Sequence, residues 1–350
     1  MKTNVLSIWS IVLGLSNLFS QETGTKSVTG FYVLSDYQYF KPLLADIRKP
    51  QFYTRLYRNE AVKFSNLSTS RGHHLFWDVG YGGFFPMLGY NYKENAAANP
   101  MQITGWTLFI ESSAHMLLDF STPSADVINT DFRIGGGLAS RLPTRLKNIS
   151  LRYKFFHEST HIGDEFTLTA VADSTFRRYN VSYEAHEFFI SVDRYSPTVT
   201  NRRRPVYWRA YAMGRLLTKG FAFDDFRDRS RAKALKTAGR GELQLGSEIF
   251  VRGRSSAATE GQKLNNFLKR VFAPQYWVIA ADFYRRDKYA VIAPKRMWSY
   301  NLVLGPVYGN YFNGTRTSKL FLNYYSGVNP HGQFRMFEMS YFGISYGMDF

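Results

Sequence analysis

Phe342, Gly343, Ile344, Ser345, Tyr346, Gly347, Met348, Asp349 and Phe350 close the chain. Every second residue here is large and apolar, and Gly, Ser, Gly and Asp stand between them. A strand sends successive side chains to opposite faces. This strand therefore has one greasy, aromatic face and one small, polar face. A membrane-spanning barrel strand needs that division, apolar toward lipid and polar toward the lumen.

The other end of the chain agrees. Lys2 precedes a mostly apolar run from Val5 to Leu15, and Leu18, Phe19 and Ser20 make a cleavage site before Gln21. That is the form of a secretory signal. The run is too short for a spanning helix, which needs about 20 apolar residues, and no later stretch comes close. An exported membrane protein without a spanning helix must be a closed barrel, because lipid cannot satisfy open backbone groups.

Composition fits. There is no cysteine, so neither a disulfide nor an N-terminal lipid anchor on sulfur is available. Aromatic residues make up 17% of the chain, mostly Phe and Tyr, yet mean hydropathy is negative. Only alternate residues of a barrel meet lipid, which reconciles the two. The net charge of +17 first suggests nucleic acid. The export signal argues against that partner, and no nucleic-acid motif is present. Arg and Lys are better placed in a lumen or against anionic headgroups.

The organisation that follows is a signal peptide at 1–20, a periplasmic lead-in or partial plug at 21–50 and a barrel at 51–350. Pro42 and Pro50 keep the lead-in from being a central strand. The fold class is all-β, a transmembrane antiparallel up-and-down barrel with periplasmic termini. Twelve strands are expected, near 51–59, 74–83 with a Pro-broken extension to 90, 102–113, 127–140, 149–160, 177–192, 206–217, 242–252, 275–285, 297–304, 319–326 and 338–350. The sixth changes alternation phase near His186. Leu142 to Asn148 is a short turn, so the twelfth strand runs inward and ends in the periplasm. The long connection from Gly253 to Pro274 fits this count badly. A helix over Leu264 to Phe272, or a miscounted pair of strands, would explain it.

Several stretches in order along the chain carry a resemblance: Phe40 to Pro50, Val127 to Ile134, Phe156 to Glu165, Asn180 to Glu184, and Asn323 to Phe334. They resemble an uncharacterised (domain-of-unknown-function, DUF) family of Gram-negative outer-membrane β-barrel proteins. The final strand, with Phe350 last, resembles the signal by which such barrels engage the barrel-assembly machinery. The resemblance implies fold and location, and it transfers no catalytic residue.

The densest polar cluster is His157, Glu158, Ser159, Thr160, His161, Ile162, Gly163, Asp164 and Glu165. Alternation puts His157 and Ser159 on the face of Leu151, Tyr153 and Phe155, with Cα atoms about 6.6 Å apart. Imidazole and hydroxyl so placed are the base and nucleophile of an acyl hydrolase. The third member is an acid that holds the imidazole. Glu184 or Glu187 on the next strand, or Asp131 on the previous one, would supply it. The His-x-Ser arrangement resembles that of outer-membrane lipid A deacylases, although Thr160 stands where those enzymes tend to have Asn. A strand end turning at Gly163 and Asp164 is the plainer reading. A metal shared by His157 and His161 would need the chain to fold back, since strand spacing separates them by about 13 Å.

Arg133, Arg209, Arg215 and Arg252 are the lumen-lining candidates. Arg202 to Arg204 fall in a turn and Asp224 to Lys236 in a mixed-charge outer loop. Gly135 to Gly137 mark a bend or the close approach of a plug. No cofactor or metal is implied. The partners expected are outer-membrane lipid, lipopolysaccharide and the assembly machinery. Three functions follow: a structural or lipid-contacting barrel, a lipid acyl hydrolase using Ser159, His157 and Glu184, and a narrow pore for small anions.

Overall fold

The structure, a computed structural model, describes residues 29–34, 38–60, 73–92, 103–143, 146, 148–163, 179–180, 182–195, 206–219, 224–225, 241–253, 274–286, 298–309, 311, 317–335 and 337–349. The features expected at 1–20, Asp164 and Glu165, 202–204, 226–236, 264–272 and Phe350 lie outside them. No described helix is long and apolar enough to cross a membrane.

Alternating sequence becomes strand throughout. The strands are β1 (Phe52–Glu60), β2 (His73–Asn91), β3 (Gly105–Asp119) and β4 (Asp126–Arg141). Then come β5 (Ile149–Ile162), β6 (Ser182–Tyr195), β7 (Val206–Lys219) and β8 (Gly241–Arg252). β9 (Tyr276–Arg285), β10 (Trp298–Tyr308), β11 (Thr317–Val328) and β12 (Glu338–Asp349) complete the set. Each pairs antiparallel with its sequence neighbours, and β12 returns to β1 through Phe342↔Arg58 to Met348↔Phe52. The result is a closed twelve-stranded antiparallel barrel. β8 and β9 pair directly, from Leu243↔Arg285 to Arg252↔Tyr276, so they are neighbours in the wall.

Several expectations are corrected. β6 keeps one phase: Glu184, His186 and Phe188 point outward, while Ala185, Glu187 and Phe189 are buried inside. The irregularity lies in its pairing with β7, where the register shifts between Glu184 and Ala185. β2 does not break at Pro86. It absorbs the proline in a register shift before Leu88 and runs on to Asn91. The early chain also contributes a four-residue strand, Gly30–Val33, paired to Leu88–Asn91. At Gly135 and Gly137 the nearest approach comes from the neighbouring wall strand. A Cβ there would lie 2.4 Å from the Phe155 carbonyl oxygen and 1.9 Å from that of Tyr153, so it is β5 that approaches.

The lumen is filled from both ends. Residues 38–51 run inside the wall, where Phe40 and Leu43 pack on Phe109, Phe189 and Tyr211. Leu44 and Ala45 join Tyr207, Phe250 and Val278. Arg209 donates to the carbonyls of Lys41 and Pro42 at 2.8 and 3.0 Å, and Asn301 to that of Ala45 at 2.7 Å. From the other end, the connection between β11 and β12 folds inward around a short 3-10 turn, Gly332–Phe334. Phe334 packs on Tyr57, Phe76 and Leu117. Two of the cavities left among these residues measure about 20 and 10 Å³, room for single waters.

Candidate active site on the outward face

β5 carries the site because its side chains alternate without a break. Phe156, Glu158 and Thr160 are buried in the lumen, and His157, Ser159 and His161 face out. Register then decides the acid. Glu184 of β6 stands directly across from His157, and Ser182 across from Ser159. Glu184 Oε1 lies 4.0 Å from His157 Nδ1, and the two side chains are 43% and 27% exposed for His and Glu. That separation is just beyond hydrogen-bond length, and catalytic contacts commonly tighten only with substrate bound. The side chains of Ser159 and His157 make no hydrogen bond among the described residues, although their backbones are paired in the ladder. A side-chain rotation would be needed to join them along the strand.

The other acids are committed elsewhere. Glu187 is buried and binds Arg215 at 2.7 Å and Lys154 at 2.9 Å. Asp131 is buried and binds Arg48 at 2.6 Å. His161 instead makes a T-shaped ring contact with Phe132. Among the described residues, no group of three or more His, Cys, Asp or Glu is placed to hold a metal ion.

The inner side of the same stretch is pinned. Glu158, between His157 and Ser159, accepts from Arg133 at 2.6 and 3.0 Å. Arg48 of the lead-in and Arg335 of the β11–β12 connection, the cap of the lumen, also reach it. Gly332 donates its backbone N–H to Asp131, and a Cβ at Gly332 would collide with Thr160. Lead-in, wall and cap thus converge beneath the site. A constellation on a strand held this way is more rigid than one on a loop. Ser182 and His186 escaped the sequence reading. His186 shares a 2.8 Å hydrogen bond with Tyr153 beside the site, and only cross-strand register could have revealed it.

The lumenal arginines are neutralised. Arg133 pairs with Glu158, Arg209 with Glu248 at 2.5 Å, and Arg215 with Glu187 and Glu242, each at 2.7 Å. Arg252 differs from the other three: it is in lumenal phase but exposed at the end of β8.

A family profile described as a protein of unknown function, DUF1207, matches residues 21–201. The chain belongs to the DUF1207 family. No curated protein sequence matches. Among solved structures, the chain is similar to an outer membrane phospholipase (OMPLA) dimer with bound calcium from Salmonella typhi. Identity is 12%, the alignment covers 89% of this chain and 95% of that one, and the TM-score is 0.44. It is also similar to an active-site mutant of outer membrane phospholipase A from Escherichia coli, at 9% identity, 96% coverage of both chains and a TM-score of 0.43. The transport unit of the autotransporter AIDA-I from Escherichia coli follows at 11% identity, 98% and 97% coverage and a TM-score of 0.40. A phospholipase and a transport unit are about equally near this DUF1207 chain, so the likeness is silent on activity.

Proposed function

We propose that this DUF1207 protein is an outer-membrane β-barrel that hydrolyses acyl esters of membrane lipid at its outward face. Ser159 is the nucleophile, His157 the general base and Glu184 the acid that orients the imidazole. The register that sets Glu184 opposite His157, on the same outward face as Ser159, carries the reading. Ser159 attacks the ester carbonyl carbon while His157 takes its proton. The lipid alcohol leaves with that proton, and water then releases the acyl group by the same relay.

The membrane setting rests on the outward surface. Phe188, Ile279, Leu322, Phe342 and Ile344, each more than half exposed, lie round the ring. A closed ladder leaves no open edge to lipid. With the termini in the periplasm and the signal at 1–20 removed, Ser159 lies toward the outer end of β5, within reach of the outer leaflet and its lipopolysaccharide. The anion-pore reading is weakened by a filled lumen whose buried Arg133, Arg209 and Arg215 already have carboxylate partners.

Lipid mass spectrometry tests the proposal. Refolded protein is incubated with lipopolysaccharide and with phospholipid, beside a Ser159→Ala control. Loss of an acyl chain with wild type alone is expected. Intact lipids in both would sink the hydrolase and leave a structural or lipid-contacting barrel.

A further inference from the structure

The outward rows of β2 to β5 are fixed by register. One row runs Tyr81, Ala114, Phe132, Ser159, and the next runs Gly83, Ser112, Ile134, His157. In both rows the β2 and β3 side offers small residues at Gly83, Ser112 and Ala114, and the β4 side offers bulky Phe132 and Ile134. The small residues make a floor. Phe132 and Ile134 rise on one side of it and Tyr81 and Phe85 on the other. The depression is a groove of about 570 Å³, and His157 and Ser159 belong to its lining.

Among the described residues, no carboxylate, ammonium or guanidinium faces this groove. Arg133 contributes to its lining, but the guanidinium turns inward to Glu158. A phosphate or sugar would therefore find no ionic partner on the floor, whereas a hydrocarbon chain would find an apolar seat. The floor is also within reach of the hydroxyl. Ala114 is two strands from Ser159, about 10 Å at the usual interstrand spacing. Phe85 folds back over the floor, since a Cβ at Gly83 would meet its ring tip at 3.2 Å. The ring makes an end wall on the far side from Ser159.

We infer that this groove holds the acyl chain of the ester that Ser159 attacks, and that Ala114, Gly83 and Phe85 set the length of chain it takes. The inference rests on the hydrolase reading for the attack, but the chain's seat is independent of turnover. An ester carbonyl over Ser159 places its chain between Phe132 and Ile134 and down onto the floor. The outward polar side chains of the lining are hydroxyls and the His157 imidazole, and Arg133 is already paired to Glu158, so the chain's burial strands no carboxylate, ammonium or guanidinium.

The test uses full-length protein in vesicles of phospholipid whose acyl chain carries a photoactivatable diazirine near its end. Wild type, Ser159→Ala, Ala114→Trp and Ala281→Trp are compared, the last placing the same bulk on the outward face of β9. Heat-modifiable migration on gels confirms that each barrel is folded. Cross-links concentrated on 81–85 and 112–114 in wild type and Ser159→Ala are expected, falling about tenfold in Ala114→Trp alone, the discrimination one misplaced bulk makes in an apolar pocket. In a series of esters of increasing chain length, Ala114→Trp should shift the preference toward short chains by a similar factor. Cross-links spread evenly round the ring, or an equal loss in Ala281→Trp, would overturn the groove even if Ser159 cleaves lipid. Concentrated cross-links with no cleavage of any ester would uphold the groove and dismiss the hydrolase.

Discussion

His331 sits in the connection between β11 and β12, where its surroundings shift its ionisation. It is almost fully buried, with Nε2 3.9 Å from Asp78 and Nδ1 3.9 Å from Asp131. Burial pushes its pKa below the usual imidazole value. The two carboxylates pull it up, and Arg48 and Arg55 push it down again. An opened cap would return His331 to about 6.5, so below that pH the opened form binds the extra proton and acid favours opening. Amides of 329–337 should exchange faster at pH 5 than at pH 7.5 after correction for intrinsic rates, and His331→Asn should remove the difference. Equal protection at both pH values would refute this. The same residue shows where reading by sequence ends. Asn323 to Phe334 carried part of the family resemblance, but nothing in its polar end tells whether that end lies over a barrel or inside it. His157 and Ser159 were legible because alternation alone assigns them a face. Their acid was not, because the phase of β6 puts Glu187 in the lumen with Asp131, and register, a relation between strands, sets Glu184 opposite His157.

At the scale of elements, period-two alternation made all twelve strands legible, most to within a few residues at each end. What it missed were places where backbone meets backbone. Gly137 is one case inside a strand, because its missing Cβ is where the Tyr153 carbonyl sits. Gly137→Val should cost about 1–3 kcal/mol, the usual range for overpacking, seen as a lower urea midpoint for unfolding from micelles. Gly214→Val is the control, since nothing lies within 4 Å of a Cβ there. Similar losses in both would mean that the β4–β5 contact is not special. The strand at Pro86 teaches a related lesson: a proline read as a break is accommodated where the register slips. On the same scale, the signature of β12 belongs to a strand whose side chains alternate and whose Phe342–Met348 closes on β1. We propose that it engages the assembly machinery through that edge before closure.

The whole molecule is a wall around a packed interior. Phe40, Leu43, Leu44 and Phe334 occupy the lumen, and the buried Arg133, Arg209 and Arg215 are held by carboxylates rather than left for passing anions. The protein should therefore be silent in a planar lipid bilayer. A variant lacking residues 30–50 should show discrete conducting steps, because the cap alone does not fill the space beside Arg209 and Glu248. A steady open level from wild type would restore the pore reading. The sequence carried the architecture and the idea of a plug, but a segment with two prolines and several charges does not declare how far it enters. Its depth depends on partners such as Asp131 and Glu248, which lie on strands remote from it in the chain.

The closing ladder has a consequence for how the protein is made. β1 waits for β12, so any sheet formed by a chain that stops before β12 has two unpaired edges. Such a fragment cannot settle as a smaller barrel with the same register. It is a template for intermolecular pairing, dependent on holdase chaperones until it is degraded. Frameshifts late in the gene should thus be as harmful as early ones, and a proteostasis burden besides.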